Sequence, residues 1–494
     1  MSEEEKDQSE DLLPDEPQDQ LSITQHSVTI GQQEIHYTVT AGTIVLKEEQ
    51  EKDRKSDGEK AKASVFFVAY TLDNTRDTAK RPITFSFNGG PGSSSVWLHL
   101  GVLGPRRVET DQQGNLLQPP YQLIENQYSV LDQTDLVFID PISTGFSRVV
   151  QGEEAKQFHG FKKDIESIGN FIRLYTTRYQ RWTSPKFLIG ESYGTTRAAG
   201  LSGYLQERHG LYLNGIMLIS SVLDFQTIRF MNGNDLPYIL YLPSFTATAW
   251  YHNLLDEGLQ VDLHQTLQEV EAFAVGEYAL ALMKGTDLPE DERQEITRKL
   301  VRYTGLPIDY IERTDLRVSI MRFCKELLRN QGKTVGRFDS RFTGLDRDSV
   351  GERFEYDPSY TNILGPYTAT LNDYLRSQLK FESDLAYEIL TDRVHPWNYD
   401  PHQNQYVNVT DTLRKAMTTN PYLKVFVASG YYDLATPYMA TQYTFNHLGL
   451  DKSLQQNVSM SFYEAGHMMY VHQQSLIQLK KDLSSFIQSA TPFK

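Results

Sequence analysis

The chain is poor in cysteine: Cys324 is the only one in 494 residues. An intrachain disulfide is therefore excluded, which points to a reducing compartment or to a fold that needs no covalent staple. By itself such a cysteine reads as a small buried apolar residue. Positive charge is also short, since 48 Lys+Arg against 64 Asp+Glu leave a formal net charge of −16. That argues against nucleic acid as a partner. No apolar run reaches the roughly 18–20 residues needed to span a bilayer. The opening MSEEEKDQSEDLLPDEPQDQ lacks the basic and apolar regions of a secretory signal. The expectation is a cytoplasmic protein with no membrane and no nucleic-acid partner. C-x-x-C, H-E-x-x-H and phosphate-binding glycine loops are missing too, so no metal and no cofactor is implied.

What is present is material for a large core: 39% of residues are hydrophobic, with 24 Phe and 29 Tyr. Residues 1–22 concentrate acidic charge and are expected to form a disordered tail. Ser27 to Leu46 and Ala63 to Leu72 are rich in β-branched and aromatic residues, with EEQEKDRKSDGEKAK as the polar connection of a hairpin. Short apolar runs follow at 83–87, 136–140, 186–190, 215–220, 424–429 and 458–463, as expected of buried central strands. Helical spacing recurs between them, over Phe161–Tyr179, Thr195–Arg208, Tyr438–Leu448 and His472–Ile487. Alternating strand and helix predicts an α/β fold, a mostly parallel central sheet flanked by helices. From 225 to 399 the strand signal fades, and WYHNLLDEGL, DLHQTLQEVEAFAVGEYALALM and EDERQEITRKLVRYTGL read as helices. The expected organisation is a core in two parts, 23–224 and 400–494, around an inserted helical cap at 225–399.

Three residues stand where a nucleophile, a base and its orienting acid belong. KFLIGESYGTTRAAGLSGYL sets Ser192 between an apolar strand and a helix, inside the pattern G-x-S-x-G. A tight structural turn uses the same glycines, so the motif needs partners. A serine hydroxyl is a poor nucleophile until a base takes its proton, and the base needs a carboxylate to orient it. KVFVASGYYDLATP places Asp433 just past one strand, and VSMSFYEAGHMMYVH places His467 just past the next. Each alone reads equally as a turn aspartate or a loop histidine; together, in this order and at strand ends, they point to acyl transfer. His472 is the nearest rival for the base but falls at a predicted helix start. The bend Asn88-Gly89-Gly90-Pro91-Gly92 follows a strand, and the Gly90 N–H with that of Tyr193 would make an oxyanion hole. Tyr238, Tyr241, Phe245, Trp250 and Tyr251 either line a pocket under the insertion or pack in its core.

These segments together resemble the serine carboxypeptidase family of α/β-hydrolases. NGGPGSSS, DLVFIDPISTGFSR, GESYG, ASGYYDL and EAGHMMYVH correspond to its five motifs, in order. LPSFTATAWYH, YTGLPIDYI, GRFDSRFTG and GYYDLATPY are similar in particular to its disulfide-poor bacterial members. The resemblance implies the α/β-hydrolase fold with a helical cap. It implies nucleophile Ser192, base His467 and orienter Asp433, an oxyanion hole at Gly90 and Tyr193, and substrate binding by Asn88, Gly89, Glu191 and Met468. Asn88 and Glu191 match positions that hold the substrate's terminal carboxylate, where the family pairs two acids that share a proton. This sequence departs there: the second acid is Val102, an aromatic before the asparagine is Ser86, and the proline after His-Met is replaced in HMMYVH. Arg106 and Arg107 are candidate substitutes for the missing recognition; solvated surface charge is their plainer reading.

The expectation is a serine-type carboxypeptidase acting on peptides through an acyl-enzyme, or an esterase or acyltransferase using the same triad on small acyl substrates. An interaction protein that kept the fold and lost activity is a third reading. A homodimer is left open.

Overall fold

The computed structural model describes residues 17–53, 55–75 and 77–491. Residues 1–16 of the expected tail lie outside them. Gln20–Ser22, also assigned to the tail, instead begin the first strand. The main strands are β1 Gln20–Ile30, β2 Gln33–Lys52, β3 Lys55–Leu72, β4 Ile83–Phe87, β5 Asp135–Ile139, β6 Lys186–Ser192, β7 Gly215–Ser221, β8 Lys424–Gly430 and β9 Val458–Tyr463.

They form one sheet in the order β1-β2-β3-β5-β4-β6-β7-β8-β9, ten-stranded among the described residues once Arg148–Val149 pairs with β3. Pairing is antiparallel from β1 to β5 and parallel from β5 to β9. The hairpin reading needs correction. Ser27–Leu46 spans two strands turning at Gly31 (φ +63°), and residues 48–52 and 55–62 of EEQEKDRKSDGEKAK are themselves strand, with Glu49 opposite Glu59 and Lys52 opposite Lys55. Beyond the core the ladder continues through water, because backbone hydrogen bonds do not require apolar side chains.

Both faces of the parallel half are buried, which is why its strands read as unbroken apolar runs. Phe187 and Ile189, Met217 and Ile219, Phe426 and Ala428 pack with one cluster; Leu188, Ile216, Leu218, Val425 and Val427 pack with the other. Helix α1 (Phe161–Arg178) and α2 (Tyr193–His209) cover the second face, and the C-terminal helix Gln473–Ala490 covers the first. Between β7 and β8 lie the helices of the insertion, including α3 Leu236–Tyr251, α4 Leu263–Phe273 and α5 Glu290–Thr304. WYHNLLDEGL is not a helix of its own: α3 ends within it at Tyr251, and Asn253 adopts φ +56°. The 225–399 segment divides between two cores. Residues from Leu240 to Val335 form a separate apolar cluster, whereas Ile363, Tyr367, Leu371 and Tyr374 of helix α6 (Pro358–Ser377) pack into a cluster of the sheet. Among the described residues no helix is long and apolar enough to cross a membrane.

Candidate active site

Strand β6 ends on Ser192 and α2 starts at the next residue, so the chain reverses direction on the serine itself. Ser192 has φ 59° and ψ −129°, a conformation costing a residue with a Cβ about 1–3 kcal/mol. The glycines on either side make the turn possible. A Cβ on Gly190 would lie 2.1 Å from the Gly194 carbonyl oxygen, and one on Gly194 would lie 2.8 Å from that of Phe87. The bend after β4 is pressed against the same turn, since a Cβ on Gly89 would meet the Tyr193 nitrogen at 2.4 Å. Gly89, Gly90, Ser192 and Tyr193 consequently share one wall of a cavity of about 590 Å³.

Arg197 on α2 braces this corner from below. Fully buried, it donates from Nε to Asp164 Oδ2 at 2.8 Å and from Nη1 to the Asn88 carbonyl at 2.5 Å.

The loops after β8 and β9 deliver Asp433 and His467 to the same cavity region. His467 Nδ1 lies 2.7 Å from Asp433 Oδ2, and both side chains are buried. Asp433 Oδ1 accepts the backbone N–H groups of Ala435 (2.7 Å) and Thr436 (3.0 Å), and Oδ2 accepts the Thr436 hydroxyl at 2.8 Å. Four donors on one carboxylate fix its orientation. Burial alone lowers the His467 pKa, but the charge and hydrogen bond of Asp433, with the charge of Glu191, outweigh it and the net shift is upward. His467 is held from the insertion side as well. Its N–H donates to the Phe338 carbonyl at 2.6 Å, and the Gly466 N–H donates to Asp339 Oδ2, a carboxylate ion-paired with buried Arg341. His472 stands outside the cavity and bonds Ser475.

Glu191 is buried beside the serine. Asn88 Nδ2 donates to its Oε1 at 2.9 Å and the Tyr470 hydroxyl donates to its Oε2 at 2.6 Å. Burial pushes the Glu191 carboxyl up to about 7, against the pull of His467 and of the two donors. Val102 sits fully buried in the π-helical turn His99–Leu103 and supplies no acid. A Cβ on Gly101, next to it, would lie 2.3 Å from the Tyr470 ring, so the tyrosine closes over this turn and reaches Glu191. The departure within HMMYVH thus reaches the Glu191 carboxylate through Tyr470, which packs against the turn that holds Val102. Ser86 is buried in β4 and is not in the cavity wall, where Trp97 is one of several aromatics.

The structure brings Ser192, His467, Gly90, Tyr193, Asn88, Gly89, Glu191 and Met468 to the cavity wall, with Asp433 directly behind His467. Of the five aromatics weighed from the insertion, Tyr241 lines the cavity, while Phe245 stacks on Phe323 in the insertion's core. Arg106 and Arg107 are not in the wall; Arg106 is 3.8 Å from Glu125. Cys324 is buried, and burial raises its thiol pKa. Sequence reasoning missed Tyr470, Thr436, Asp339 and Arg197. Only Tyr470 left a signal, as part of a segment that departs from its expected pattern.

A largely parallel sheet with serine on a strand-to-helix turn, and aspartate and histidine past the two succeeding strands, defines an α/β-hydrolase. The chain belongs to the serine carboxypeptidase family, whose profile matches residues 47–481. It is similar to the pheromone-processing carboxypeptidase KEX1 of Saccharomyces cerevisiae, 31% identical over 160 residues; that alignment covers 31% of this chain and 20% of KEX1. It is also similar to serine carboxypeptidase-like 34 of Arabidopsis thaliana, 23% identical over 397 residues, covering 77% of this chain and 70% of the relative. The crystal structure of a yeast KEX1 variant superposes with a TM-score of 0.57 at 17% identity, covering 92% of this chain and 91% of that one. That likeness is one of fold.

Proposed function

We propose that this protein is a serine-type carboxypeptidase that releases C-terminal residues from peptides through an acyl-enzyme on Ser192. The observation that carries the reading is the 2.7 Å Asp433–His467 bond in a cavity that also holds the serine turn and the paired Asn88 and Glu191. With Nδ1 committed to Asp433, the other ring nitrogen of His467 is the base. It takes the Ser192 proton as Oγ attacks the scissile carbonyl, and Asp433 stabilises the imidazolium that forms. The Gly90 and Tyr193 N–H groups receive the oxyanion. His467 then gives its proton to the leaving amine, and water, activated by the same histidine, releases the acyl group. Asn88, Gly89 and Glu191 hold the departing residue's carboxylate, with Met468 against its side chain.

A protonated Glu191 donates a hydrogen bond to that carboxylate; an ionised one repels it. With a pKa near 7, this recognition operates at neutral pH and below. The second reading, an esterase or acyltransferase, is favoured by one observation: Val102 leaves Glu191 without a second acid. Hydrolysis of an N-blocked dipeptide, its C-terminal amide and a matching ester, with Ser192→Ala as control, decides between them. Cleavage of the free acid well above the amide supports the carboxypeptidase. Equal rates, or cleavage of the ester alone, overturn it.

A further inference from the structure

Two arginines line the catalytic cavity with no ion pair on their guanidinium groups among the described residues. Arg229 comes from the loop after β7 and Arg337 from the segment following Lys333–Val335 in the insertion. Among the described residues neither guanidinium has a carboxylate within 4.0 Å; the Asp357 carboxylate accepts the backbone N–H of Arg337, not its side chain. This is not the habit of the region, where Arg317 pairs with Asp235, Arg322 with Glu352, Arg329 with Glu326 and Arg341 with Asp339.

Each guanidinium is instead set against a ring. Arg229 Cζ lies 5.5 Å from the Phe225 centroid and Arg337 Cζ lies 4.6 Å from that of Phe338. Phe338 in turn touches the His467 ring, with centroids 5.2 Å apart. Stacking fixes the plane of a guanidinium while leaving its N–H edge free to donate. Both arginines act electrostatically on the buried Tyr241, so the two charges flank one part of the cavity. The cavity's own carboxylates are elsewhere: Glu191 is held by Asn88 and Tyr470, and Asp392 acts on Tyr360. In a chain of net charge −16, two guanidiniums without ion pairs in the cavity wall, one of them reaching the His467 ring through Phe338, form a local concentration of positive charge.

We propose that Arg229 and Arg337 are specificity-determining residues that bind the side-chain carboxylate of an aspartate or glutamate in the peptide substrate. This rests on the carboxypeptidase reading above. The arginines donate charge-assisted hydrogen bonds to the acidic side chain, while Asn88 and Glu191 remain with the terminal carboxylate.

The test compares kcat/KM for N-blocked dipeptides carrying Glu or Gln at either residue flanking the scissile bond, as free acids and as amides. The expected result is a preference for Glu over Gln of about tenfold at one of the two positions, the size of one charged hydrogen bond. Arg229→Gln and Arg337→Gln each lower that ratio, the double variant brings it to about one, and Arg337→Lys restores part of it. A wild-type ratio of one or less overturns the proposal, as does a ratio unchanged in the double variant. If the variants alter only the preference for free acid over amide, the arginines hold the terminal carboxylate and the proposal also fails. Should no dipeptide be cleaved, the carboxypeptidase reading falls. Calorimetric affinities of the Glu and Gln peptides for the Ser192→Ala protein then decide the arginine pair separately, by the same ratio.

Discussion

At Glu191, burial and hydrogen bonding pull in opposite directions. Burial favours the neutral acid, whereas Asn88 and Tyr470 both donate and so favour the anion, leaving the carboxyl at about 7. In the proposed mechanism His467 must be neutral to act as base, so kcat/KM is expected to rise with pH through its elevated pKa. In the same proposal Glu191 must be protonated to receive a terminal carboxylate, so activity on free-acid peptides is expected to fall again above about 7. The two groups are coupled, and the limbs of the bell belong to the pair. Amidated substrates lack the carboxylate and should lose the alkaline limb. Glu191→Gln, whose amide always donates, should lose it on free acids as well. Tyr470→Phe removes a donor that favours the anion, so the Glu191 pKa rises and the alkaline limb moves to higher pH. Profiles from about pH 4 to about pH 9 check all three; a Tyr470→Phe limb displaced to lower pH would contradict the assignment. The acid itself was legible from GESYG, but its tyrosine partner was not. Glu191 and Tyr470 are far apart in the chain, and no local pattern marks a hydroxyl that meets a carboxylate only after folding.

The loop carrying His467 depends on an element with no strand or helix signal. Phe338 and Asp339 lie between Lys333–Val335 and Thr343–Leu345, a small antiparallel ladder in the insertion. Their carbonyl and carboxylate accept the N–H groups of His467 and Gly466. Two glycines permit the contact: a Cβ on Gly430 would lie 2.3 Å from the Gly466 carbonyl oxygen, and one on Gly466 would lie 2.4 Å from the Asp339 Cβ. Asp339→Ala strands the buried Arg341 without its partner, a change expected to cost about 3–5 kcal/mol. It should also lower kcat more than it raises KM, because the base loses its positioning. Urea unfolding and steady-state kinetics on one preparation check both effects. The central strands were readable because burial on both faces demands unbroken apolar runs. The β2–β3 arm misled because its outer half is held by backbone pairing, which leaves no trace in side-chain polarity.

Across the whole molecule, the insertion is anchored beneath the catalytic loops. Its apolar cluster includes Tyr432 and Leu434, the neighbours of Asp433, and Tyr438, Met439 and Ala440 beyond them. Ser340 N and Oγ both donate to the Tyr432 carbonyl, adding polar contacts to the same junction. Packing of the insertion and placement of the aspartate are therefore one structural event. Leu434→Ala, at a fully buried position, is expected to cost about 2–5 kcal/mol. Loss of activity and loss of insertion structure should coincide in a thermal melt of that variant. A lower melting temperature with unchanged kcat would instead uncouple the insertion from Asp433.

Sequence alone determined the alternation of strand and helix, the parallel sheet and the order of serine, aspartate and histidine at strand ends. Those features are written in local periodicity and in glycines that a sharp turn requires. Tertiary structure decided which side chains face the cavity. It turned Arg229 and Arg337 inward and left Arg106 and Arg107 out of the wall, set Tyr470 on Glu191 and braced His467 from the insertion. Such contacts join residues far apart in the chain, and their strength depends on burial, distance and the partners already satisfied, none of which a linear pattern records.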